Sequence, residues 1–377
     1  MITLGNQLFD PELVRKHFSD ETKTVFFMRE DRELCTYYKF HKHKLIFFLA
    51  AMRSYADELR SFGFEVDYQR MNDSEGSYEE ALESKICQLR PSKIFFYEIE
   101  DKFFESRILA LIKKTKIDFE VLRSPMFLTS RENFKVYLEK TKKPFMKTFY
   151  EKQRTRLKVL VDEANRPFGG RWSFDDENRL SLPSNIHPPE IIFPTPSQHV
   201  MDVSKLVDQL FPTHPGESSH FWLPVDRKGA KEWLQDFLKN RLAQFGPYED
   251  AIPQHSVFVF HSVLTPFLNT GLLTPKEIMQ ESLQFAARTK VLLSSLEGFI
   301  RQIIGWREFV RGIYQNYSEV QETTNFWNHH KKLSRVWYEG HSGIPPLDYA
   351  LNKTIKFSYA HHIERLMIFG SLMLLLE

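Results

Sequence analysis

Two adjacent histidines, His361 and His362, stand in the run Tyr359-Ala360-His361-His362-Ile363-Glu364-Arg365 of this 377-residue chain. An imidazole titrates near working pH, so it can give or take a proton during a reaction. On a helix the two rings point about 100° apart. That suits one proton donor beside one packing residue and disfavours a shared zinc ion; a structural pair is the plainer alternative. A second constellation is Arg301-Gln302-Ile303-Ile304-Gly305-Trp306-Arg307-Glu308-Phe309. On a helix Gln302 and Trp306 share a face and Arg307 lies beside them. Tryptophan offers a stacking surface and arginine a clamp for phosphate or carboxylate. A core tryptophan with a surface Arg–Glu pair also fits. In the third, Phe260 to Leu273, Ser262 and Thr265 flank a helix start with Pro266 in its first turn. Hydroxyls and N–H groups there suit a phosphate, or simply cap the helix.

The elements that position these residues fall into two kinds. Ile2–Leu4, Val25–Met28, Phe64–Tyr68, Ile94–Tyr97 and Phe119–Leu122 read as strands, and Lys42–Phe62, Tyr78–Leu89 and Phe103–Lys114 as helices. This alternation predicts a Rossmann-like, doubly wound parallel sheet over residues 1–130. Gly5-Asn6-Gln7 follows the first strand in place of G-x-G-x-x-G, so an ordinary dinucleotide site is not supported. Residues 131–224 read as a linker region, with Pro and Ser punctuating 183–224. From 225 to 377 the periodicity is helical: Lys228–Phe245, Pro275–Ala287, Leu292–Tyr317 and Leu347–Leu376. The expectation is an all-α second domain. The sequence stops at Glu377 inside an apolar helical pattern without a stop signal, which predicts that further residues follow.

Composition narrows the classes. A net charge of +2 excludes a polycation, so any nucleic-acid surface must be local. Lys140, Lys142, Lys143, Lys147, Lys152, Arg154, Arg156 and Lys158, opposed by Glu139 and Glu151, supply a candidate strip, with Arg171 and Arg179 following. A solvated charged face is the alternative. The two cysteines, Cys35 and Cys87, lack metal-ligand spacing and fit a reducing interior. Neither a signal peptide nor a bilayer-spanning run is evident, so a cytoplasmic protein without membrane contact is expected.

Taken together the three constellations resemble the photolyase/cryptochrome superfamily, and their wording is closest to its bacterial (6-4) photolyase group. The similarity rests on Gly5–Leu8, Lys44–Leu59, Gly170–Arg179, Phe245–Ala251, Phe260–Leu273, Gly305–Tyr314 and Tyr359–Met367. It implies a C-terminal domain that binds FAD and DNA carrying UV photoproducts, and light-driven electron transfer from reduced FAD to a flipped-out pyrimidine dimer. By residue match it implies Tyr248, Ser262, Leu264, Thr265, Gln302 and Arg307 at the FAD. Trp306 falls on the lesion side, with Arg154, Arg156 and Arg171 toward DNA. His362 becomes the proton donor of (6-4) repair, with His361 beside it. Gln7, Glu30 and Tyr37 match the antenna end of the N-terminal sheet, where relatives bind a lumazine-type pigment. Trp306 and Trp337 are candidates for stacking or electron relay.

Two departures accompany the resemblance. Pro346 occupies the position of the first iron–sulfur cysteine of such relatives, and only two cysteines exist, so no cluster and no other metal is expected. The family's last flavin loop and helices would follow Glu377, so the FAD domain is expected to be incomplete. A monomer is expected. The alternative function on this fold is a blue-light photoreceptor, a cryptochrome without repair activity.

Overall fold

The computed structural model describes residues 1–18, 23–72 and 76–376; Glu377, where the sequence stops, lies outside them. Four short parallel strands form in the N-terminal region: β1 Val25–Arg29, β2 Glu65–Gln69, β3 Lys93–Tyr97 and β4 Asp118–Leu122. β1 pairs with β2 and β3 with β4 in register. The expected first strand, Ile2–Leu4, contracts to one residue. Ile2 bridges Phe27 on one side and Phe96 on the other, joining the two pairs in the order β2-β1-Ile2-β3-β4.

Alternation along a strand sends successive side chains to opposite faces. Phe27, Ile94 and Phe96 meet the helices Tyr78–Leu89 and Lys102–Thr115 through Tyr78, Leu82, Ile108 and Ile112. Phe26 and Phe95 point the other way and pack edge-on against Phe18. Both faces are therefore covered, as a doubly wound sheet requires. Ser77 and Glu80 close a capping box that starts the Tyr78–Leu89 helix where the sequence predicts it.

The chain forms two compact units. The first comprises Met1–Met126, Phe193–Lys231 and Thr265–Thr274; the second comprises Phe127–Ile192, Glu232–Leu264 and Pro275–Glu377. Residues 131–224, expected as a linker, hold the helices Arg131–Glu139, Met146–Leu157 and Gln198–Leu210. Ser130 and Ser197 cap two of them, and the flanking prolines obscure their short periodic runs. In the second unit no strand appears among the described residues, only the Val161–Pro167 bridge.

Its helices are interrupted where polar residues are buried. The predicted Lys228–Phe245 helix breaks at Arg241, which is fully buried, donates to the His261 carbonyl at 2.7 Å and pairs with Asp236. The predicted Leu292–Tyr317 helix runs as Leu293–Ile300, a π segment Arg301–Trp306, and Arg307–Thr323. The predicted Leu347–Leu376 helix becomes Pro345–Phe357, stops at Ser358 with φ +55°, and resumes at His362.

Candidate functional site

The π segment is where helix geometry gives way to side-chain demands. A π turn inserts an extra residue into a helix and is frequent at functional positions. Arg301, at its start, is buried and faces three carboxylates. It donates to Asp175 Oδ1 at 2.8 Å, lies 3.3 Å from Glu297 Oε1, and acts on Glu249 through its charge. Glu297 is wholly buried and accepts from the Tyr150 hydroxyl at 2.8 Å and the Phe174 N–H at 3.0 Å. Burial and the Glu297 charge push the Tyr150 phenol well above its ordinary range.

Glu249 is the hub of the site. Asn178 Nδ2 donates to its Oε2 at 2.7 Å, and Gln302 Nε2 to its Oε1 at 2.9 Å. His362 Nε2 stands 3.8 Å from Oε1 and 3.6 Å from Asp250 Oδ1. Burial pushes the Glu249 carboxyl up to about 7, against the opposing charge of Arg301. Gly298 makes this packing possible: a Cβ there would meet Asn178 Nδ2 at 2.9 Å and Glu249 Oε2 at 3.3 Å.

The two adjacent histidines divide in the structure, though not by a helical step. His361 precedes the helix and His362 begins it. His361 is buried, its N–H donates to Glu364 at 3.2 Å, and its ring stacks on His261 at 4.7 Å between centroids and 17° between planes. The His362 side chain is 46% exposed and lies edge-on to His261. Among the described residues the three imidazoles bring ligand atoms within 4.8 Å of one another. A metal–imidazole bond lies in the ring plane, and the near-parallel His261 and His361 rings share no such plane. As arranged they favour stacking over joint ligation.

Burial, followed by neighbouring cations and imidazoles, lowers His361 to about 3 and His261 well below its usual value. Both rings are thus neutral near pH 7, and His261 Nε2 and both ring nitrogens of His361 lack a hydrogen-bond partner. The stability consequence has a definite sign. Between pH 6.5 and about 3 the unfolded chain takes up a proton that buried His361 refuses, so stability falls as pH drops through that window. In His361→Phe the thermal midpoint is expected to fall less steeply over the same window than in the parent. Equal slopes in parent and variant would refute this.

The other expected flavin residues are distributed as follows. Tyr248 is buried against Val259, Phe260 and Ala251, and Leu264 is buried. The Ser262 carbonyl accepts from Trp233 Nε1 at 2.9 Å. Val259 and Val263, at φ +50° and +55°, bracket Phe260–Ser262. Left-handed backbone is costly for a β-branched residue and is held where surroundings over-determine it, often at binding sites. Thr265 opens the short Thr265–Thr270 helix in the first unit and is exposed. Trp306 is 44% exposed, and the Arg307 guanidinium lies over the Phe127 ring at 4.1 Å. Glu308, expected as a surface partner of arginine, is buried and accepts from Leu128 and Thr129 N–H at 2.9 and 2.8 Å. Trp337 packs beside Leu347 and Leu351.

One expectation is corrected, and the other expected DNA and antenna residues are placed. Arg154 is not on a DNA-facing strip: it is fully buried and donates to the carbonyls of Val159, Trp172 and Leu160. Val159 and Leu160 belong to the loop after the Met146–Leu157 helix, where Lys158 and Leu160 take left-handed conformations and carbonyls need donors. Arg171 is paired with Asp176 and Glu177, so its charge is largely compensated. Arg156 is exposed and donates to Gln153 Oε1 at 2.8 Å. Of the residues expected at an antenna, Glu30 is buried and accepts from Arg53, the Tyr68 hydroxyl and the Met71 N–H. Gln7 is buried at the end of β3 and donates to the Glu98 carbonyl at 3.2 Å. Tyr37 is exposed, with its ring against Tyr38. Gln7 and Glu30 lie where strands end, yet their polar groups hold the sheet's own backbone and side chains.

Solved structures define the fold class. A bacterial class III photolyase from Agrobacterium tumefaciens superposes with a TM-score of 0.62 at 15% identity, over 99% of this chain and 72% of its own. A cryptochrome from Synechocystis sp. gives the same score and identity over 97% of this chain and 73% of its own. The fold is that of photolyases and cryptochromes. A family model described as deoxyribodipyrimidine photo-lyase-related protein matches residues 1–223. A (6-4) photolyase from Agrobacterium fabrum is 31% identical over 378 aligned positions, covering 100% of this chain and 74% of that protein. The chain belongs to the deoxyribodipyrimidine photo-lyase-related family.

Proposed function

We propose that this protein is a light-dependent DNA-repair flavoprotein of the (6-4) photolyase type, with His362 as proton donor. The observation that carries the reading is the division of the histidine pair. His362 is half exposed beside Glu249, Asp250 and the Gln302–Glu249 pair, while His361 is sequestered against His261. A proton donor must be accessible to its acceptor and near groups that tune it.

The residues present fit a flavin. His261 Nε2 and the His361 ring nitrogens, buried without a hydrogen-bond partner, and the left-handed backbone at Val259 and Val263 support a polar ligand here. Tyr248, Ser262, Leu264, Gln302 and Arg307 are proposed to hold FAD. When bound, FAD supplies the light-driven electron. The chain itself orients the flipped-out base, with Trp306 as its stacking surface, and moves a proton from the His362 ring. The exposed Lys140, Lys142, Lys143, Lys147, Lys152, Arg156 and Lys158 are proposed to meet the DNA backbone. The antenna pigment, if of lumazine type, needs Gln7 or Glu30 to exchange an internal partner for it.

Repair of a synthetic (6-4) oligonucleotide under blue light tests the reading. Flavin photoreduction without repair of any dimer would instead assign the blue-light photoreceptor role. A flavin spectrum is expected without iron and acid-labile sulfide, since Cys35 and Cys87 cannot supply four thiolates. About four of each per protein would refute that expectation. No helix among the described residues is long and apolar enough to cross a membrane.

A further inference from the structure

We propose that Glu249 is a positioning and proton-holding residue for His362, returning a proton to its ring after each donation. This rests on His362 being the donor. Three observations carry it. First, the Glu249 carboxyl is buried and fixed at both oxygens by Asn178 and Gln302, so its orientation toward the ring is set by the fold. Second, its Oε1 lies 3.8 Å from His362 Nε2, a gap that one water or a small ring rotation closes. Third, Gly298 leaves no room for a side chain between this carboxyl and its anchors, so the arrangement is tightly built.

The proton balance is simple. The ring gives its proton to the substrate base. The Glu249 O–H bond then breaks, an N–H bond forms on His362, and the resulting carboxylate is held by the two amide donors and by Arg301. Repair takes up no net proton, so the proton that the restored bases release returns to the Glu249 carboxylate through water on the exposed side of His362.

The groups facing Glu249 are Arg301 from the π segment, Asn178 from the 170–179 segment, His261 against its backbone, His362, and its neighbour Asp250. Asp175 and Glu297 draw on the same Arg301 charge, which reduces its hold on the Glu249 proton. Burial pushes the Glu249 carboxyl up to about 7, so it can hold a proton near neutral pH, as a proton relay requires. Asp250, 3.6 Å from the same nitrogen, is 30% exposed and screened by water, so it is the weaker partner.

The test compares Glu249→Gln, Glu249→Asp and Asp250→Asn in the full chain by two readouts. One is the NMR signal of the His362 imidazole nitrogens in the dark near pH 7. The other is the pH profile of (6-4) repair. Glu249→Gln is expected to move the imidazole signal toward the neutral form. It should also shift the alkaline limb of repair down by about one pH unit. Glu249→Asp is expected to recover part of both changes, and Asp250→Asn to move them less. Unchanged signal and profile in Glu249→Gln, or an equal shift in Asp250→Asn, would overturn the proposal. If Glu249→Gln does not fold, an unmoved signal and profile in Glu249→Asp overturns it equally. Normal repair by His362→Ala would instead remove the donor reading beneath it.

Discussion

His362→Ala is expected to lose (6-4) repair by about 10²–10⁴-fold, the usual contribution of a general acid, while flavin binding and light-driven flavin reduction stay nearly unchanged. The division arises because electron donation needs no proton from this ring. The half-exposed imidazole also contributes little to the core, so truncating it leaves the fold intact. His361→Ala acts differently. It opens a cavity against His261 and removes packing from a buried stack, so it lowers stability and disturbs the flavin side together. Quantum yields of repair and of photoreduction, measured on both variants, separate the two residues. Near-parental repair by His362→Ala would show that the proton comes from another group.

Arg154→Met is expected to destabilise the chain by about 2–3 kcal/mol, because it takes the guanidinium donor from the Val159 and Trp172 carbonyls and leaves Leu160 with only the Phe168 N–H. The stacking of the guanidinium on Tyr150 and Trp172 is lost with it. Its DNA affinity, measured well below the unfolding transition, should retain the parent's salt dependence. Lys147→Ala, at an exposed position of the same basic run, should instead keep its stability and reduce the salt slope by about one. A stable Arg154→Met with weakened DNA binding would return this arginine to the nucleic-acid surface.

These two variants mark the limits of sequence reading here. Local periodicity is carried by neighbouring residues, so it locates Tyr78–Leu89 to the residue and finds all four strands within one residue at each end. The charge run around Arg154 is equally visible, but a run of charges does not say which member turns inward. That depends on carbonyls exposed by the left-handed loop that follows. The same holds for Glu30, whose partners Arg53, Tyr68 and Met71 lie 23, 38 and 41 positions further along the chain.

The alternating α/β half, the helical half and the residue types able to move a proton were determined by the sequence alone, because hydrophobic period and side-chain chemistry are local properties. The tertiary structure decided the site. Asn178, Glu249 and Gln302 are 71 and 53 positions apart along the chain, and Phe174 and Glu297 are separated by 123. No short motif announces such partnerships. Buried charges must find partners wherever the fold brings them. In meeting that demand the chain forms the Arg301–Trp306 π segment, breaks its helices at Arg241 and Ser358, and turns His361 inward while leaving His362 in reach of solvent.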